Sequence, residues 1–102
     1  MDDKKIYSWL GLCMRSGNLV SGDDTTLRDV KKNKLSLVII AEDASDNTKK
    51  LFKDKCSFRN IEYYFFGTKE KIGNSIGKSP RAVLGISDKN MAIQIVKLLS
   101  KE

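Results

Sequence analysis

Apolar and polar positions along the chain fall into alternating blocks, and the longest apolar block is Leu37-Val38-Ile39-Ile40-Ala41. Both faces of that run are hydrophobic, which predicts a strand covered on both sides. Acidic and small residues follow at once, and the Ser45 hydroxyl is suited to cap a helix running from Ser45 to about Phe58. Leu51, Phe52 and Lys55 recur there at helical spacing, with Lys49, Lys50 and Lys53 on the exposed side. A doubly covered strand that runs straight into a capped helix is the first half of a βαβ unit.

The same reading extends to both ends. Ile6, Trp9, Leu10 and Cys13, flanked by Tyr7 and Met14, predict a helix over residues 3–16, and Gly17 suits the left-handed position that ends it. Leu19-Val20 predicts a brief strand. Ser21 and Asp24 match a capping box that opens a second helix, which runs to about Lys32 with a modest apolar face of Thr26 or Leu27 and Val30. Glu62-Tyr63-Tyr64-Phe65-Phe66 predicts an aromatic strand broken by Gly67. Thr68 caps a short helix carrying Ile72 and Ile76 and closed by Gly77. Ala82-Val83-Leu84-Gly85-Ile86 predicts another strand. Ser87 or Asp88 then caps a last helix whose Met91, Ala92, Ile95, Val96, Leu98 and Leu99 form a broad buried face, and the Lys101-Glu102 end is expected to fray. The order α-β-α-β-α-β-α-β-α with short connections predicts an α/β fold, a sheet sandwiched between helices.

Length and charge narrow the function. A chain of 102 residues without repeat, linker or low-complexity segment is read as one domain over residues 1–102. No run is long enough for a membrane span and no signal-peptide pattern opens the chain, so a cytoplasmic protein without a membrane partner is expected. Nineteen Lys and Arg against thirteen Asp and Glu give a net charge of +6. That balance favours a polyanionic partner, with RNA or DNA ahead of a membrane, although solubility alone also accounts for such a charge. Cys13 and Cys56 follow no CxxC or metal-type spacing and are expected to pack as small apolar residues.

No catalytic constellation stands out. Histidine is absent, which removes the commonest general base and metal ligand, and with it the usual Ser triad. Neither GxGxxG nor GxxxxGK[ST] occurs. Asp23, Asp24, Glu42 and Asp43 can converge at one end of the sheet, yet helix capping and a solvated loop explain them as well. No cofactor and no metal is expected. A binding face is easier to assemble. The second helix offers free backbone N–H groups at its start, Gly22 lets a backbone approach closely, and Asp23 and Asp24 can accept hydrogen bonds from guanine or cytosine amino groups. Arg28, Lys31 and Lys32 lie on the same helix within reach of flanking phosphates, and Lys78-Ser79-Pro80-Arg81 supplies two cations on a stiff turn.

Three stretches together resemble a known family. Leu37-Val-Ile-Ile-Ala-Glu-Asp43-Ala-Ser, Tyr63-Tyr-Phe-Phe, and Lys69-Glu-Lys-Ile72-Gly73-Asn-Ser-Ile-Gly77-Lys78 look like the ribosomal protein L-seven-Ae family, and the opening Gly11-Leu-Cys-Met-Arg15-Ser-Gly17-Asn-Leu-Val-Ser-Gly22 looks like its bacterial YlxQ-type branch. The resemblance covers nearly the whole chain. It implies a three-layer α-β-α sandwich with a mixed four-stranded sheet. It also implies binding to structured RNA of the kink-turn type, a bent internal loop with tandem sheared G·A pairs, in ribosomal or regulatory RNA. The family motif at the second helix has Gly, a small residue, Asn, Glu, two variable residues and Lys. This chain has Ser21, Gly22, Asp23, Asp24, Thr25, Thr26 and Leu27 there, and Lys78-Ser79-Pro80-Arg81 at the second contact loop. Asp23 cannot donate as Asn does, and Leu27 removes a cation that Lys78, Arg81 and Arg28 partly restore. These departures predict either a weaker hold on a kink-turn or a different recognised motif.

The first reading is therefore a non-catalytic, ribosome-associated RNA-binding protein, with Gly22, Asp23, Asp24, Arg28, Lys78 and Arg81 at the site and Lys31 and Lys32 as electrostatic helpers. The second is a protein-interaction module that has kept the fold and lost specific RNA binding. The third is an enzyme acting on a small phosphorylated molecule at the carboxyl end of the sheet.

Overall fold

The computed structural model describes residues 3–101, and over that range five helices and four strands alternate as the hydrophobic pattern predicts. They are α1 (Asp3–Arg15), β1 (Leu19–Ser21), α2 (Asp23–Lys31), β2 (Leu37–Ile40), α3 (Asp46–Phe58), β3 (Glu62–Phe65), α4 (Lys69–Ser75), β4 (Val83–Ile86) and α5 (Lys89–Leu99). The expected fraying concerned Lys101 and Glu102. Lys101 lies beyond α5, and Glu102 is outside the described residues.

The strands form one mixed sheet in the order β1-β4-β2-β3. Strands β2 and β3 are parallel, joined by the crossover helix α3, so the predicted βαβ unit is present. Strand β4 lies between β1 and β2 and is antiparallel to both. Helices α1, α4 and α5 pack together on one side, and α2 packs with α3 on the other, giving three layers. The two central strands, β2 and β4, are buried at every position because helices cover both their faces. The edge strand β3 stays half-exposed, with Tyr63 packed edge-on against Phe65.

The core is assembled from the predicted periodic positions. Ile6 and Leu10 of α1, Phe52 of α3, Ile72 of α4 and Ile95 of α5 are fully buried against the sheet, each contributing roughly 1.5–3 kcal/mol of transfer free energy. Leu51 departs from the expected apolar stripe and is exposed. Residues i and i+4 share a helix face, so Phe52 and Cys56 take the core side and turn their neighbour outward. Cys13 and Cys56 are buried free thiols. Burial is the main reason each is pushed up to about 11, with Asp88 adding to the effect at Cys13 and Arg59 opposing it at Cys56. Both thiols therefore stay protonated and unreactive at neutral pH.

Three predicted caps are in place. Ser45 Oγ accepts from Thr48 N at 3.1 Å, Thr68 Oγ1 from Lys71 N at 3.2 Å, and Asp88 Oδ1 from Met91 N at 2.8 Å. The capping box at α2 is not. Gly22 is the N-cap and no side chain caps that helix. Ser21 belongs to β1, paired with Leu84, and its hydroxyl is taken by Arg81 instead. Strand pairing has fixed the residue that the local pattern assigned to the helix.

On the inner side of α2, Thr26 is fully buried, and its Oγ1 has no hydrogen-bond partner. A buried hydroxyl without a partner loses its water hydrogen bonds for nothing. Thr26→Val keeps the shape and removes that cost. We expect it to raise the unfolding free energy by about 1 kcal/mol, read from urea denaturation; a loss of stability would show that the hydroxyl is satisfied in solution.

Candidate nucleic-acid interface

The end of the sheet where β1 and β2 finish and β4 begins gathers the candidate residues. The chain leaves β1 through Gly22, whose φ of 93° and ψ of 156° lie in a region that side-chain-bearing residues rarely adopt. The Gly22 N–H donates to Val83 O at 3.0 Å, which stitches the start of α2 to the start of β4. Because no side chain caps α2, its first-turn amides are open to an outside acceptor, at the positive end of the helix dipole. Asp23 and Asp24 form that first turn and are exposed.

The loop that carries Lys78 and Arg81 is held against this point. Ala41 N donates to Ala82 O at 2.8 Å, Arg81 N to Lys69 O at 3.0 Å, and Lys78 N to Gly73 O at 2.9 Å. Gly73 is essential to that approach, since a Cβ there would overlap the carbonyl of Ser79. Arg81 locks the arrangement with its side chain. Its Nε donates to Ser21 Oγ at 3.2 Å, and its Nη1 to Ser79 Oγ at 2.8 Å, Ser79 O at 3.2 Å and Pro80 O at 3.3 Å. The guanidinium is thus half-buried and committed to structure as well as charge, whereas Lys78 is exposed at the loop's outer side.

The structure brings Gly22, Asp23, Asp24, Lys78 and Arg81 to one end. It does not bring Lys31 and Lys32 there. They close the last turn of α2, about 12 Å further along the helix axis. Arg28 lies on the way, exposed, its Nε 3.1 Å from Oδ1 of the buried Asp29. Of the four carboxylates considered as a cluster, Asp43 is occupied with capping α4, accepting from Lys69 N at 2.9 Å. Among the described residues, no group of three or more His, Cys, Asp or Glu is arranged to hold a metal. None of the described helices is long and apolar enough to cross a membrane.

The model of the ribosomal protein L7Ae/L30e/S12e/Gadd45 family matches residues 4–97. The chain belongs to this family. It is 33% identical over 99 residues to the RNA-binding protein YlxQ of Bacillus subtilis strain 168, covering 97% of this chain and 99% of that one. It is 38% identical over 96 residues to the RNA-binding protein YlxQ of Enterococcus faecium, covering 94% and 92%. Among solved structures, a Bacillus halodurans protein of unknown function superposes with a TM-score of 0.92 at 32% identity, over 95% of this chain and 98% of that one. A Giardia lamblia 15.5kD RNA binding protein superposes with a TM-score of 0.81 at 24% identity, over 94% and 85%, and shares the fold. Family membership thus agrees with the sandwich seen here.

Two working residues escaped sequence reasoning. Ser21, read as a cap, is an anchor for Arg81, and Gly73 is the point where the loop packs on α4. The glycine in Ile72-Gly73-Asn-Ser-Ile76-Gly77 was the signal that could have found it, since a glycine kept inside a helical pattern often has a packing reason. Gly73→Ala should cost about 2 kcal/mol of stability through overpacking, measured by denaturant unfolding. A variant as stable as the parent would mean the loop moves away freely.

Proposed function

We propose that this protein is a non-catalytic binder of structured RNA that grips a kink-turn-like bend at the start of α2. The observation that carries the reading is the uncapped first turn beginning at Gly22, beside a loop that Arg81 fixes in place. Open amides at a helix start suit phosphate oxygens and base edges. Exposed carboxylates at Asp23 and Asp24 suit the amino groups of G and C. RNA is recognised mainly through shape and through bases displaced from regular pairing, and a bent internal loop offers both. The relatives named as RNA-binding proteins support RNA as the ligand. A cytoplasmic, ribosome-associated setting with ribosomal RNA as one target completes the proposal. The acidic pair Asp23-Asp24 favours a second reading, a protein-interaction module on the same fold, which predicts a partner that survives nuclease treatment.

The test is binding to a kink-turn RNA at near-physiological salt, with the same RNA carrying Watson–Crick pairs in place of its G·A pairs as control. Tight binding to the first and clear loss with the second is expected; equal, weak, salt-sensitive binding to both contradicts the reading. Asp23→Asn removes one charge facing the phosphates and adds a donor, so affinity should rise several-fold. Lys78→Glu should weaken binding and lower the salt slope by roughly 0.7–0.9, because one phosphate is no longer neutralised.

A further inference from the structure

The net positive charge does not sit mainly at the start of α2. At the opposite end of the sheet, α2 and α3 finish, β3 begins and α5 starts. Lys31, Lys32, Lys34 and Lys89 are exposed there. Of the carboxylates at this end, two are occupied and Glu62 is exposed. Asp29 is buried beside Arg28 and Asp88 caps α5. A cleft of about 340 Å³ opens between these segments, lined on its polar side by Asn33, Ser36, Arg59, Asn60, Glu62 and Lys89. Asn33 and Asn60 both sit at φ 57°, ending their helices in the left-handed conformation, and both line the cleft.

Beside it stands Phe58, 82% exposed, the most exposed large apolar side chain among the described residues. The Arg59 guanidinium lies 5.4 Å from the centre of its ring. Arg59 is itself tied down, its Nη1 donating to Lys55 O at 3.4 Å. A ring left in water contributes nothing to the core, and a guanidinium stacked on it adds a second flat, cationic surface. Aromatic rings and guanidinium planes are what unpaired bases stack on, and lysines at the rim suit the phosphates between them.

The geometry points to a second RNA contact, at which Phe58 and Arg59 stack an unpaired base while Arg59 and Lys89 hold its phosphates. Base-paired RNA has no free base face to offer, so the ligand is a single-stranded stretch. Asn33, Asn60 and the Glu62 carboxylate give the cleft donors and acceptors for a base edge. This contact is independent of the kink-turn reading and lies across a body measuring 29 × 28 × 27 Å, so one protein can join a folded RNA element to a neighbouring loose strand.

The full-length protein is titrated into a fluorescent oligouridine and, separately, into a blunt-ended kink-turn RNA with no single-stranded extension. Phe58→Ala should weaken oligouridine binding about tenfold, Phe58→Tyr should restore it, and Arg59→Gln with Lys89→Gln should weaken it and lower its salt slope. Binding to the blunt kink-turn should stay unchanged in all three, as should the melting curves of the Phe58 variants, because that ring is outside the core. Oligouridine that fails to bind, or binds Phe58→Ala as well as the parent, overturns the inference. Loss of the kink-turn interaction with Phe58-dependent oligouridine binding intact overturns the proposed function and leaves this second site standing.

Discussion

The hydrogen bonds that flank the start of β4 hold the rest of the molecule in register. Gly22 N–H donates to Val83 O on one side, and Ala41 N–H donates to Ala82 O on the other. They extend the antiparallel registers of β4 with both neighbours past the strand ends, and from that follows the position of everything near it. The chain leaving β1 and the chain leaving β2 end at the same edge of the molecule as the loop entering β4. A helix start, an acidic turn and a basic loop are brought together although some sixty residues of sequence separate Ser21 from Arg81. Arg81 closes the assembly by bonding to both. Its charge is then oriented in advance, and little side-chain freedom remains to be given up on binding.

Charge and shape divide their labour across the fold. The end with the uncapped helix also carries Asp23, Asp24, Glu42 and Asp43, so the net charge of +6 cannot be concentrated there. If that end is the RNA site, as proposed, recognition there rests on directional hydrogen bonds and on fit. The lysines at the far end of a body 27–29 Å across act on their own neighbourhood, because attraction is screened within about 10 Å at ordinary salt. On the proposed reading, the helix start selects a geometry while the far basic surface holds a neighbouring strand.

Most of the fold was legible in the sequence because local signals and tertiary packing agree. All of the unbroken run Leu37–Ala41 but its last residue became a doubly covered strand, and Ser45, Thr68 and Asp88 cap the helices they precede. Legibility failed where a distant partner overrode a local pattern. Ser21 satisfies the capping-box spacing, but pairing with Leu84 places it in a strand. Leu51 satisfies an apolar stripe, but only one phase of the helix can face the sheet, and Phe52 holds it. Of the candidate site, Gly22, Asp23 and Asp24 were identifiable from sequence as a helix start. The separation of Lys31 and Lys32 from that start follows from the helical rise alone, whereas the structural duty of Arg81 was not legible, because it depends on how a loop packs against a strand sixty residues away.

The most direct test of the central claim is a map of backbone amide shifts as a blunt kink-turn RNA is added to isotope-labelled protein. The account predicts the largest shifts at Gly22, Asp23 and Asp24 and at Lys78, Ser79 and Arg81, the segments joined by Ser21 and Arg81. Shifts confined to the outer face of α1 and α5, around Trp9 and Leu98, with the amides of the α2 first turn unmoved, would contradict it.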